Sequence, residues 1–449
     1  MIREFGPDET PRPDLRAILD GEIVVIRSGL QRLGVFDRLN DTILAQVGAK
    51  IGTEAQAMLR QRGLEKLHEA VPASELKMLL AALTDILRPF AAEIICNFSR
   101  CFAPETTNLY GPDHLWVRMM TPAHITQERP GEFDAYPGHL VVHRPHRDSW
   151  FSHCHNSVNL WAAVGPVRPD NGVLLYPAAY RMDIPRDGLS VRPDQWLGRP
   201  VGFKLDPGDI VCFAGEQVHS SALNVTEETR VAVSARLSLG RPKYGQGTGW
   251  IAYVSEAALS RRAPLSGSLP ARANMAYLRH LHRRLKRRLA PVRPHDIGAD
   301  PAATAALREA RGEISRQLAD LARAILTDEG APECLDDLAA LAQAAGLRMQ
   351  TRVVRPQELS GDVVAASQSS CFVRMGSQLG VVARHCPHMG ADLAVNGALT
   401  REGQLECAWH AVRFAMTDGR ANCAPLAALT VRPFRWYGDT IAWLEEDTT

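Results

Sequence analysis

The sequence predicts a mainly β protein with added helices, in three parts: an N-terminal sandwich or barrel, a helical connector and a small C-terminal β domain. Three observations predict it. Between about 115 and 242, short apolar runs alternate with Gly, Pro, Asn and Asp, the rhythm of closely turned strands. Residues 256–348 change to helical periodicity. From 349 to 449 short β runs return, over a length sufficient for an independent domain. The expected boundaries are therefore 1–255, 256–348 and 349–449.

Residues 14 to about 100 read mostly as helix. Leu76, Leu79, Leu80, Leu83, Ile86 and Leu87 share one helical face, and Pro89 is expected to end that helix. Ile23 to Ile26 is β-branched and follows Gly21, so a strand is expected there. In the next part, strands are expected at Leu140–Val142, Val158–Trp161, Val173–Tyr176, Asp209–Phe213 and Arg230–Leu239. In the connector, Asp300-Pro301 is expected to cap a helix carrying Leu307, Ala310, Ile314, Leu318, Leu321 and Ile325. A second helix is expected over Leu335–Ala345 before Gly346. Strands at Thr351–Val354, Leu379–Ala383 and Thr440–Leu444 are expected in the last part.

Composition removes several classes. The 449 residues are 45% hydrophobic and 22% charged, ordinary for a globular chain. A formal net charge of +1 gives no global field for nucleic acid. The basic run Arg279 to Arg288 is read as a solvated helix face, or as a dock for an acidic ferredoxin or reductase. No run of about 18 apolar residues suggests a membrane span. The start, MIREFGPDETPRPD, lacks the order of a signal peptide, so a cytoplasmic location is expected. Nine irregularly spaced Cys do not make a disulfide scaffold. Those beside His carry the information; Cys371 and Cys423 read as small buried hydrophobes, with a place near those pairs as the alternative.

The pairs are Cys386-Pro387-His388 and Cys407-Ala408-Trp409-His410. Each brings a thiolate and an imidazole to one place. Eighteen residues separate His388 from Cys407, enough for a strand, a turn and a return. Such a set can bind tetrahedral zinc. One Cys and one His per loop better suits two sulfide-bridged irons, one held by both thiolates and one by both imidazoles. The stretches CPHMGADL and CAWHAVRF resemble the Rieske [2Fe–2S] domain over roughly 349–449. That resemblance implies Cys386 and Cys407 on one iron, and His388 and His410 on the other. Ala411 stands where oxygenase-type members usually carry Gly. Ala391 stands where high-potential members carry an extra Cys, so the resemblance is to the low-potential type.

In the front part, His146-Arg147-Asp148 sets two ligand-type side chains on one side of an extended segment. His219 follows far downstream. Two His and one carboxylate form the facial arrangement of non-haem Fe(II) oxygenases, which leaves positions open for cosubstrate and O2. A cupin-like fold without redox work is the alternative. The stretches HRDSWF, NLWAAVGPVRPDNGVLLYP and GDIVCFAGEQVHSSALNVTEETRVAVSARL resemble the phytanoyl-CoA dioxygenase family of Fe(II)/2-oxoglutarate oxygenases, over residues 14–242. The resemblance implies a double-stranded β-helix, or jelly roll, with iron at one mouth. It implies that Arg230 pairs with the remote carboxylate of 2-oxoglutarate, assisted by Ser221. Arg236, on the same strand face, is the alternative. Asn159 stands where the family often has a polar cosubstrate contact, or is a satisfied buried amide. Asp148 argues for hydroxylation, desaturation or a related oxidation, since related halogenases lack it. His143 is expected to point away by strand parity, and Arg118 is a candidate contact for cosubstrate or substrate. His153 and His155 are expected in a loop, as surface residues or substrate contacts. Trp150 and Trp161 are expected to pack in the core or line the pocket.

The expected cofactors are Fe(II), 2-oxoglutarate and a [2Fe–2S] cluster; the expected partners are a small metabolite, O2 and a ferredoxin or reductase, with a homo-oligomer open. Decarboxylation of 2-oxoglutarate to succinate supplies its own two electrons, so the cluster is expected to re-reduce iron after uncoupled turnover or to be structural. One alternative is that the cluster feeds the front iron from an NAD(P)H reductase without 2-oxoglutarate. Another is a non-enzymatic redox or metal sensor.

Overall fold

A computed structural model describes residues 1–106, 108–127, 133, 136–244, 251, 253–260, 322–323, 325–326, 334–344, 347–422 and 426–446. The basic run 279–288, the helix expected from Asp300 apart from Ile325, and Cys423 lie outside these residues. The chain divides into two compact units. One is Met1–Val191 with Gly198–His295; the other is Arg192–Leu197 with Asp296–Thr449.

The first unit is a jelly roll with N-terminal helices. Its elements begin with β1 (Ile2–Phe5), β2 (Ile23–Ile26), α1 (Phe36–Lys50), α2 (Thr53–Arg62), α3 (Leu76–Ile86) and α4 (Pro89–Phe102). There follow β3 (Leu109–Gly111), β4 (Trp116–Met120), β5 (Ser157–Ala163), β6 (Val173–Leu175) and β7 (Ile210–Ala214). The unit continues with β8 (His219–Ser221), β9 (Arg230–Leu239) and β10 (Val254–Ser255). The large sheet runs β1-β2-β7-β5-β9-β3-β10, with β4 also paired to β9. β6 and β8 form the facing ribbon.

Alternation along the strands makes two cores. Val24, Ile26, Val231, Val233 and Leu237 turn to the helices. Ile23, Val25, Trp161, Val211 and Phe213 turn inward, against Val173, Leu175, Phe203 and Leu205. α3 buries Leu76, Leu79, Leu80 and Leu83 in the helix-side core, each worth about 1.5–3 kcal/mol of transfer free energy. Ile86, expected on that face, is 46% exposed, because it sits at the margin of the stripe in the last turn. Pro89 does more than end α3: it opens α4 at the first helical turn, where its missing N–H costs nothing. Leu140–Val142 is not a strand. Val141 bridges only Pro137, around a turn at Gly138.

The second unit contains α5 (Leu335–Ala344), β11 (Leu347–Val353), β12 (Val363–Ala365), β13 (Ser370–Met375) and β14 (Gln378–Ala383). Then come α6 (Leu393–Asn396), β15 (Gly397–Leu399), β16 (Leu405–Cys407), β17 (Arg413–Phe414) and β18 (Val431–Arg432). It ends with β19 (Phe434–Tyr437) and β20 (Thr440–Glu446). Its sheets run β12-β13-β14-β18, β11-β20-β19 and β15-β16-β17. Phe372, Val381, Ile441 and Trp443 fill the space between the first two. No helix among the described residues is long and apolar enough to cross a membrane.

Candidate metal centres

His146 and His219 face each other across an antiparallel bridge, each N–H donating to the other's carbonyl at 3.0 Å. Asp148 opens a 3-10 turn two residues on, and its N–H donates to Gly215 O at 2.9 Å. A Cβ on Gly215 would stand 2.2 Å from Ser157 Oγ, so a side chain there would displace that hydroxyl from its bond to Cys154 O. The three side chains are nearly buried (1–6% exposed), and each offers a ligand atom within 4.8 Å of the others.

Each donor is fastened from behind. His146 Nδ1 lies 2.8 Å from Arg144 O, and His219 Nδ1 lies 2.8 Å from Gln217 O. Both contacts favour the tautomer that leaves Nε2 free to ligate. Burial holds both imidazoles below their usual range, hence neutral. Burial pushes the Asp148 carboxyl the other way, yet the Arg236 guanidinium keeps it well below the usual carboxylate range. Arg236 clamps both oxygens at 2.9 Å, and Asn159 donates to Oδ2 at 2.5 Å. A carboxylate has about four lone-pair sites. Three are taken, and Oδ1 stands 3.8 Å from His219 Nε2 with one to spare. The set fits one divalent cation.

The cavity beside these ligands is lined by Arg118, His143, Trp161, Phe213, Ser221 and Arg230, with Asn159 at its wall. Arg230 is 1% exposed. Its Nη1 donates to Asn171 O at 3.2 Å, while Nε and Nη2 have no partner. Its guanidinium lies 5.5 Å from the Trp161 ring centre. Arg236, the alternative anchor, is instead committed to Asp148. His143 does not point away: its Nδ1 is 2.5 Å from that of His146. Strand parity does not carry through here, because residues 142–145 form no regular strand and bend at Pro145. His153 is buried beside Tyr253 Oη at 3.1 Å, whereas His155 is near the surface with Glu216. Trp150 lies under the Arg186 guanidinium, outside this cavity lining. Arg236 was legible as an inward residue of β9. The clamp on Asp148 had no sequence signal.

In the second unit, two loops repeat one geometry. Cys386 N–H donates to Ala391 O and Gly390 N–H to Cys386 O, both at 2.9 Å. Cys407 N–H donates to Val412 O and Ala411 N–H to Cys407 O, both at 2.9 Å. The fourth residue after each Cys is left-handed: Gly390 at φ 73° and Ala411 at φ 58°. Ala411 thus occupies a position that glycine fills without strain. The loops bring Cys386 Sγ to 3.1 Å from His410 Nε2 and 3.6 Å from His388 Nδ1. Cys407 joins Cys386 through a thiol contact, not a disulfide. Burial disfavours both thiolates. The neighbouring Cys407 and imidazoles overcome it at Cys386, which ionises well below the usual thiol range, and Cys407 is held protonated beside it. The His388 ring stacks on Phe414, and its buried Nε2 has no partner. Two thiols and two imidazoles brought into contact with one another fit a metal cluster that takes them all.

Residues 95–232 match the family model for phytanoyl-CoA dioxygenase, and residues 349–433 match that for the Rieske [2Fe–2S] domain. No curated protein matches the chain. Similar solved structures include the epimerase SnoN in complex with Fe3+, alpha-ketoglutarate and nogalamycin RO. It is 18% identical, covers 57% of this chain and 92% of its own, and has a TM-score of 0.31. The ferredoxin of carbazole 1,9a-dioxygenase from Nocardioides aromaticivorans IC177 is 20% identical over 21% of this chain and 96% of its own, with a TM-score of 0.19. The non-haem monooxygenase ThoJ is 14% identical over 49% of this chain and 75% of its own, with a TM-score of 0.29.

Proposed function

We propose that this chain, in which a phytanoyl-CoA dioxygenase-type non-haem iron oxygenase domain precedes a Rieske [2Fe–2S] domain, oxidises a C–H bond of a small metabolite using O2 and 2-oxoglutarate. The observation that carries 2-oxoglutarate is Arg230. A buried guanidinium with two unpaired N–H groups, on Nε and Nη2, is costly. A carboxylate meets both groups with parallel hydrogen bonds and cancels the charge. Ser221, on the same cavity wall, would add a third donor.

His146, Asp148 and His219 would hold the ferrous ion, which when bound supplies O2 activation. Arg236 and Asn159 would keep Asp148 ionised and fixed in direction. Trp161 and Phe213 would keep water from the cosubstrate. Cys386, His388, Cys407 and His410 would hold the cluster, which supplies single electrons. We assign it an accessory role: keeping the mononuclear iron ferrous, with a reductase or ferredoxin as donor.

The presence of the Rieske domain in the same chain favours a second reading, in which electrons from a reductase replace 2-oxoglutarate. Anaerobic purification with iron and sulfide counting and EPR comes first. Succinate is then measured against substrate loss, with and without reductase. Succinate that tracks substrate loss without reductase is expected. Product formed without 2-oxoglutarate would overturn this reading in favour of the second. Arg230→Gln is expected to raise the 2-oxoglutarate KM about 10- to 100-fold, the weight of a charge-assisted pair.

A further inference from the structure

We propose that Arg118 is a second carboxylate anchor, so that the cosubstrate is gripped as a dianion between two guanidiniums; this rests on the 2-oxoglutarate reading above. The register of β4 on β9 sets Met120 opposite Arg230 and Arg118 opposite Ala232. Arg118 and Arg230 are therefore diagonal neighbours on one sheet face, at a spacing of about 7–8 Å that long side chains bridge. Both line the cavity that also holds His146 and His219.

Arg118 is positioned from outside the cavity. Its Nη1 donates to Gly138 O at 2.8 Å, and its buried Nε has no partner. Gly138 sits at φ 74°, and a Cβ there would come within 2.8 Å of Arg118 Nη1. Glycine thus lets the carbonyl approach the guanidinium. Among the described residues lining the cavity there is no carboxylate to answer the two cations. Arg236 and Asp148, just behind, already neutralise each other. The mismatch costs the protein basicity. Burial lowers Arg118 to about 10 and Arg230 to about 9, Arg118 adding to the effect on Arg230.

Two cations on one wall call for two anionic groups on one ligand. Arg230 with Ser221 takes the remote carboxylate. Arg118, which meets Gly138 beside His143 and so lies toward the ligand His146, takes the carboxylate next to the carbonyl. A monocarboxylic 2-oxoacid would leave one guanidinium unanswered, so the pair selects a dicarboxylic cosubstrate.

The test is equilibrium binding to the full-length, anaerobic, Fe(II)-loaded chain by titration calorimetry. Three probes are used: 2-oxoglutarate, 2-oxopentanoate (no remote carboxylate) and levulinate (no carboxylate beside the carbonyl). Arg118→Gln is expected to weaken 2-oxoglutarate and 2-oxopentanoate about 10- to 100-fold and to leave levulinate unchanged. Unchanged levulinate binding also reports an intact fold. Arg118→Lys keeps the charge and is expected to lose less. Equal losses for 2-oxoglutarate and levulinate, or no loss at all, would overturn the proposal. Absence of 2-oxoglutarate binding by the unaltered chain would instead overturn the cosubstrate reading, and is distinct from a loss confined to the variants.

Discussion

The two metal centres of this chain are held in different ways. In the front site each donor leans on the protein: His146 on Arg144 O, His219 on Gln217 O, Asp148 on Arg236 and Asn159. In the rear site the backbone meets Cys407 from Trp409 and His410, and His410 Nδ1 from Val412 N–H, but the donors also meet one another, Cys386 touching His388, His410 and Cys407. A site fastened by backbone and ion pairs keeps its shape whatever it binds. A site whose donors meet each other depends on what they jointly hold. The front site can therefore keep positions open for ligands, while the rear site would take its shape from the cluster it holds.

The sharpest break would come from removing the metals. Cys386→Ser is expected to abolish the cluster EPR signal and the sulfide content, and with them the cooperative melting of the rear unit. His219→Ala should abolish activity and front iron binding while leaving the EPR signal intact and shifting the front melting transition by only a few degrees. If His219→Ala unfolded the front unit, the contrast would fail.

Next in size is the clamp on Asp148. Arg236→Met leaves a buried carboxylate without its partner, a change that costs about 3–5 kcal/mol in urea denaturation. Adding Asp148→Asn should recover part of it, because the uncompensated charge is gone. A cost below about 1 kcal/mol, the usual worth of an exposed pair, would show that water reaches the site.

A third effect belongs to the rear unit alone. Glu445 is buried, and burial by itself would raise its carboxyl; hydrogen bonds from Ser367, Ser370 and the Trp443 indole bring it down to about 2, from an ordinary 4.5. A depressed folded value means stability is fully present above about 4.5 and is lost as pH falls toward about 2. Melting of the rear unit followed between those limits should show this slope, and Glu445→Gln should flatten it. The smallest effect is at Ala411. Ala411→Gly relieves a left-handed alanine but loosens the unfolded chain, so a gain of at most about 1 kcal/mol is expected. A loss in thermal melting would mean that Ala411 and Gly390 are not equivalent.

Much of the rear site was readable, because Cys-x-His and Cys-x-x-His are local spacings that one loop can satisfy alone. The resemblance marked Ala411 as a departure from glycine, and the structure places it in the left-handed region. The front triad was readable in part for the same reason: His146 and Asp148 are two residues apart. His219 and Arg230 needed the resemblance to single them out. What could not be read is what crosses strands. His143 was turned the wrong way by a parity argument that assumed a regular strand where Pro145 bends the chain. Arg118 gave only a faint signal, since its meeting with Arg230 depends on the register of β4 against β9.

By itself, then, the sequence determined which donor side chains are carried, their local spacing and the alternation that turns Arg230 and Arg236 inward. These are properties of neighbours in the chain, set by covalent distance and side-chain direction. Only the tertiary structure decided the pairings: which arginine clamps Asp148, which is left facing the cavity, and which joins it from another strand. Those follow from strand register, where a shift of one residue would send every one of these side chains to the opposite face.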